Sequence, residues 1–209
     1  MADMWQTVAA ERGALADDLA DLTDEQWRTA SLCTGWTVHD VLAHQCGTAA
    51  MNPGKFFVRF ASAGFNFPRF ADQQVARYRG ASPAQTLETF RRLQHSTSAP
   101  PGPKVSWLGE VIVHNEDIRR PLGIEHEPPA DAVRQVIDFY QGSNTLIGTK
   151  TRIADLKLQA TDQDWSHGEG PLVEGKLIDV LLAATGRAAA CERLRGDGVT
   201  TLRMRCTAS

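Results

Sequence analysis

Apolar residues at the start of the chain recur with the period of bundle helices. Over residues 4–22, Trp5, Val8, Arg12, Leu15, Leu19 and Leu22 fall on the a and d positions of a heptad, the seam by which a helix packs on its neighbours. Arg12 interrupts that seam. It reads as a side chain that snorkels or pairs with a carboxylate, or as a charge aimed at an acidic ligand in a bundle pocket. A second helix has a defined start: Thr37 stands as N-cap with Asp40 three residues on, and Trp36 can pack on Val41, the pattern of a capping box with a hydrophobic staple. From that start, Val38, Leu42, Gln45 and Ala49 centre the buried face, while Val41, His44 and Thr48 lie along its flank.

Ser82-Pro83 opens a further helix through Leu87, Phe90 and Leu93 to about Thr97, with proline at the first helical position. Pro100-Pro101-Gly102-Pro103 is a stiff connection that cannot be helical. The next helix runs from about Lys104 to Arg120, with an apolar stripe of Val105, Leu108, Val111, Ile112 and Ile118, and Glu110, His114 and Asp117 beside it. Pro121 and Gly123 end it, and Pro128-Pro129-Ala130-Asp131 opens another that runs to about Ile147. After residue 148 the pattern changes: Arg152 to Ala160 alternates like a strand, Gly168-Glu169-Gly170-Pro171 is a turn, Gly175 to Arg187 is an amphipathic helix, and Val199 to Met204 reads as a last strand. The expected architecture is mainly α, a helical bundle over residues 1–148 followed by a small α+β domain over 149–209.

Composition narrows the function classes. The chain of 209 residues, 42% hydrophobic and 22% charged, is ordinary for a globular protein and long enough for one full core plus a small second unit. A net charge of -3 gives no electrostatic reason to expect nucleic acid or an anionic membrane as partner. No apolar run reaches the roughly 18 residues of a spanning helix. Met1 to Gln6 leads directly into a helical pattern without a signal core, so a cytoplasmic location is expected. Cys33, Cys46, Cys191 and Cys206 lack CxxC spacing and are expected reduced and partly buried. Six of the eight phenylalanines crowd into residues 55–70, either as a core connection between helices or as an apolar wall over a pocket. Walker, GxGxxG, GxSxG and HExxH strings are missing from the sequence.

Candidate chemistry centres on three residues. Glu110 and His114 are four apart in a helical run, which places both on one face, and His44 ends the run Trp36 to His44. Two imidazoles and a carboxylate are the ligand set of many catalytic zinc sites, which keep a fourth position open. Spacing alone also describes a solvated helix face. Asp117 lies one turn beyond His114, able to orient it from outside or to pair with Arg119 or Arg120.

The flanking residues carry more. Leu32-Cys33-Thr34-Gly35-Trp36-Thr37-Val38-His39-Asp40-Val41-Leu42-Ala43-His44 resembles the "GWTVxDVLAHL" signature of the mycothiol-dependent maleylpyruvate isomerases. Gly109 to Gly123, read as Gly-Glu-Val-Ile-Val-His-Asn-Glu-Asp-Ile-Arg-Arg-Pro-Leu-Gly, is similar to their second signature, "E-x3-H-G-x-D-I-R-R-x-L-G". Asn115 stands where glycine is common and Gln45 where an apolar residue is common, and neither is a ligand position. The resemblance implies a DinB-like four-helix bundle holding a divalent metal, usually zinc, on His44, Glu110 and His114, followed by the small α+β domain. It also implies mycothiol as thiol cosubstrate. Arg187, in Thr185-Gly186-Arg187, matches a common family string and is the candidate catalytic residue for reaching an anionic substrate. A plain helix C-cap is the other reading of a Gly-Arg pair.

Chemically, a three-ligand zinc with an open position favours the thiolate of a bound thiol, which is a nucleophile at neutral pH. Two outcomes follow from the resemblance. In one, the thiolate adds to the double bond of maleylpyruvate, the new single bond rotates, and elimination returns the trans alkene. In the other the adduct is released, as in an S-transferase. The expected partners are a low-molecular-weight thiol and a small electrophile, carboxylate-bearing substrates included. The alternative is a non-catalytic metal- or ligand-binding module of the same fold. Metal-dependent hydrolysis fits less well, because Glu110 as a ligand cannot also be the general base.

Overall fold

The heptad seam at the start of the chain packs as its spacing requires. In the computed structural model, which describes residues 4–145 and 147–207, α1 spans Met4–Asp18 and buries Val8, Arg12 and Leu15, with Leu19 buried just past its end. The helices α2 (Asp24–Trp27), α3 (Val38–Ala49), α4 (Pro53–Ser62), α5 (Phe67–Tyr78), α6 (Pro83–Arg92) and α7 (Lys104–Arg119) follow. α1 and α3 each pack against both α6 and α7, and α5 lies along α3. Leu15, Leu19, Leu42, Phe90 and Ile118 meet in one apolar core, each such side chain contributing about 1.5–3 kcal/mol on burial. Among the described residues no helix is long and apolar enough to cross a membrane.

Arg12 sits inside the seam and, among the described residues, hydrogen-bonds no carboxylate, though the charge of Glu110 acts on it. Its Nη1 donates to the carbonyls of Leu93, Gln94 and Ser96, the last at 2.9 Å. These oxygens lie past the end of α6, where a helix leaves acceptors unfilled. Burial pulls the guanidinium pKa down to about 10. A second buried polar contact joins the two positions that depart from the family pattern. Gln45 Nε2 donates to Asn115 Oδ1 at 3.1 Å, and Asn115 Nδ2 donates to the Glu11 carbonyl at 3.1 Å. The two departures are therefore one feature, a polar rung across α3, α7 and α1.

The chain divides into two compact units, Met1–His126 and Glu127–Ser209. In the second, α8 (Ala130–Tyr140) packs on α10 (Leu177–Ala184), so the packing division lies before α8, whereas the sequence pattern places the boundary at 148. The unit also holds α9 (Thr149–Arg152) and the strands β1 (Lys157–Ala160), β2 (Ser166–His167) and β3 (Leu172–Gly175). The sheet order is β2-β1-β3, with β2 antiparallel and β3 parallel to β1 and Leu158 opposite Val173. The strand expected from Arg152 begins only at Lys157, because α9 and Asp155, at φ 58°, intervene. The expected last strand is a helix, α11 (Val199–Thr207), whose buried residues are Leu202 and Cys206. A strand would put Leu202, Met204 and Cys206 on one face, but Met204 is 60% exposed while the other two are buried, the pattern of one helix face with a period near four.

The start of α3 aims His44. The Thr37 side chain accepts from the Asp40 amide while the Asp40 carboxylate accepts from the Thr37 amide, filling two donors that a helix start leaves open. Thr37→Ala is expected to lower stability by about 1 kcal/mol, read as a reduced urea midpoint with an unchanged slope.

Candidate metal centre

Helices α3 and α7 bring the three expected ligands together. His44 Nε2 lies 2.7 Å from Glu110 Oε1, and His114 Nε2 lies 3.5 Å from Glu110 Oε2. Their ligand atoms are all within 4.8 Å of one another, and the two imidazole rings meet edge to face at 5.0 Å. Thr48, one turn beyond His44, donates its hydroxyl to Glu110 Oε1 at 3.1 Å. The side chains of His44, Glu110 and His114 are 19%, 21% and 14% exposed, shielded but reachable by a small ligand.

The two imidazoles are held by different means. Asp117, fully buried, places Oδ2 2.8 Å from His114 Nδ1. A carboxylate there holds a proton on Nδ1 and turns Nε2 toward Glu110. Cys33 adds a thiol to the same carboxylate, Sγ being 3.0 Å from Asp117 Oδ2 and 3.5 Å from His114 Nδ1. Among the described residues His44 Nδ1 has no hydrogen-bond partner, and its ring is seated against Trp36, with centroids 5.0 Å apart. Trp36 in turn donates Nε1–H to Asp72 at 3.4 Å.

Thr48 and Asp117 are legible in the sequence as neighbours one helical turn from an expected ligand. Cys33 was not, since only the fold of the loop before α3 carries it to Asp117. Arg187 belongs to the second unit, directly after α10, where its Nη1 donates to the Thr185 carbonyl at 3.0 Å.

A family model described as the mycothiol maleylpyruvate isomerase N-terminal domain matches residues 8–119, a span containing every residue of this centre. The chain belongs to that family. Two solved structures share its fold, both crystal structures of the mycothiol-dependent maleylpyruvate isomerase, one of them a histidine-to-alanine variant. At 14% identity they cover 93% of this chain and 91% of their own, with TM-scores of 0.63 for the variant and 0.61 for the other. No curated protein matches the chain. The family match ends before Arg187 and so says nothing of it.

The donor set of this family member fits a divalent cation. Two imidazole nitrogens and a carboxylate converge from separate helices, and a buried carboxylate backs one imidazole, the outer-shell arrangement that metal-binding histidines share. Burial by itself pushes the Glu110 carboxyl up, but the charges of His114 and His44 prevail and hold it well below the usual range. Burial likewise opposes the charged form of His114, yet Glu110, Cys33 and Asp117 hold its pKa well above the usual imidazole value.

These directions set the behaviour with pH. Stabilisation from the lowered Glu110 is present above its unfolded value of 4.5 and is lost as pH falls through the folded value. Stabilisation from the raised His114 is present below its unfolded value of 6.5 and is lost as pH rises through the folded value. The metal-free protein is therefore expected to gain most from the pair between pH 4.5 and 6.5. A cation must displace the His114 proton, so apparent zinc affinity should rise about tenfold per pH unit until the raised folded value is passed. Competition with a chromophoric chelator across the neutral range measures this, and a flat profile would place the metal elsewhere.

Proposed function

We propose that the protein is a metal-dependent enzyme of mycothiol chemistry, a maleylpyruvate-type cis–trans isomerase or a thiol S-transferase. The convergence of His44, Glu110 and His114 on one point, reachable from solvent, carries this reading, and the family membership supports it. Zinc is the ion best suited to two imidazoles and a carboxylate. When bound, such an ion supplies a lowered pKa to a thiol at its open position, making the thiolate available near neutral pH.

The chain's own residues prepare that position. Asp117 holds a proton on Nδ1, so the proton a cation would displace from His114 is the one on Nε2, the nitrogen that faces Glu110. Thr48 fixes the Glu110 oxygen that faces His44, and Trp36 seats the His44 ring. Glu110 is engaged by both histidines, which leaves it no role as a base toward water and favours a thiol over water as the nucleophile. Arg187 is proposed to meet a substrate carboxylate, since a guanidinium can engage both carboxylate oxygens at once.

The purified protein is expected to carry about one divalent ion per chain, given one three-ligand centre with an open position. His44→Ala and His114→Ala should each lose it while the helical circular dichroism signal persists, and Asp117→Asn should weaken metal affinity about 10–100-fold. Metal-loaded protein should bind mycothiol more tightly than the metal-free form, with proton release, and convert maleylpyruvate or a model electrophile. Equal thiol affinity in the two forms, with no turnover, would leave a non-catalytic metal-binding module.

Arg187→Lys provides a separate test of substrate recognition. An ammonium cannot reproduce the guanidinium fork, so kcat/KM for a carboxylate-bearing substrate should fall about tenfold, the loss of one charge-assisted contact, while metal content stays unchanged. Unchanged kinetics would make Arg187 a helix-end cap alone.

A further inference from the structure

The hairpin of α4 and α5 leaves apolar surface in water. No residue of α4 is buried, and Phe57, Val58, Phe65 and Phe67 are 62%, 72%, 70% and 42% exposed. The inward rings, Phe56 and Phe60, already pack with Met51, Ala63 and Phe70, so the outward ones are not needed to fill this core. The fold holds them out. α4 ends in a paired turn in which the Gly64 amide donates to the Ala61 carbonyl and the Phe65 amide to the Phe60 carbonyl. Phe65 takes a left-handed φ of 57° there, a conformation unfavourable for a bulky side chain, and its ring stands 5.6 Å from that of Phe60.

The same hairpin is basic and contains a polar cleft. Residues 53–78 carry Lys55, Arg59, Arg69 and Arg77 against Asp72 alone, in a chain whose net charge is -3. A cleft of about 440 Å³ is lined by Arg59, Ser62, Gln73, Gln74, Ala76 and Arg77. Arg59 is anchored in it, donating to Gln74 Oε1 at 2.6 Å and lying over the Tyr78 ring at 5.9 Å.

We propose that this hairpin docks on the surface of an anionic phospholipid bilayer, with the phenylalanine rim in the interface and a headgroup phosphate in the Arg59–Arg77 cleft. Exposed aromatic side chains on a basic amphipathic helix suit the boundary between headgroups and acyl chains, and lysine and arginine are drawn to anionic lipid. Guanidinium groups match the phosphate oxygens. A second copy of the same face would bring like charges together, which disfavours self-association.

Sedimentation of the full chain with vesicles tests this. Binding is expected to phosphatidylcholine vesicles containing phosphatidylglycerol, not to phosphatidylcholine alone, and should be lost at high salt. Phe65→Gly removes the ring yet suits the left-handed backbone, so thermal stability should hold or rise while vesicle binding falls. Phe57→Ser should act likewise on binding, and Arg69→Ala should weaken it about fivefold. The proposal is overturned if no anionic vesicle binds, or if both phenylalanine variants bind as well as the parent. It is also overturned if inorganic phosphate binds the cleft while vesicles do not, or if analytical ultracentrifugation shows a dimer that these variants dissociate.

Discussion

One carboxylate holds the candidate centre together. Glu110 meets His44 through one oxygen and His114 through the other, so a single side chain of α7 ties itself to α3 and to its own next turn. A charged group at this depth is costly unless it is matched, and the match comes from both imidazoles and the Thr48 hydroxyl. The same convergence that satisfies Glu110 without a cation is the one that would ligate a cation. Charge balance in the bundle and the chemistry of the site are thus one arrangement read in two states.

Supports on either side of this contact are unequal. His114 is fixed electrostatically through buried Asp117, which also receives the Cys33 thiol. His44 is fixed by ring packing on Trp36, and behind it by the capping box that sets the first turn of α3. Packing and a cap hold the His44 ring in place with its buried Nδ1 unengaged among the described residues, whereas a hydrogen-bonded carboxylate also fixes which nitrogen of His114 carries the proton. Next to both histidines, Gln45 and Asn115 bridge α3 and α7 inside the core, tying together the helices that carry the candidate centre.

Whole-chain quantities conceal local ones in this protein. The net charge of -3 sums over a hairpin with four bases and one acid within residues 53–78. The phenylalanines there split between a small packed cluster and an exposed rim, so neither a plain core connection nor a closed wall describes the segment. Exposure, unlike residue type, depends on which rings the neighbouring helix covers.

Local rules determined much of this molecule. Heptad spacing placed the seam of α1, capping chemistry placed the start of α3, and the i, i+4 relation put Glu110 and His114 on one face, because each depends only on residues within a few positions of one another. The family match over residues 8–119 agrees with the two signatures legible in the chain. Tertiary structure decided the rest. Short C-terminal elements were ambiguous, and Val199–Thr207 is a helix that buries Leu202 and Cys206 while leaving Met204, which a strand would place on their side, in water. Arg12 found backbone carbonyls as its hydrogen-bond partners, Gln45 found Asn115, and Cys33 found Asp117, each across at least 70 positions of sequence. Periodicity can say which face of an element is buried, but the partner on the facing helix is selected by how whole helices pack, and no local pattern encodes that.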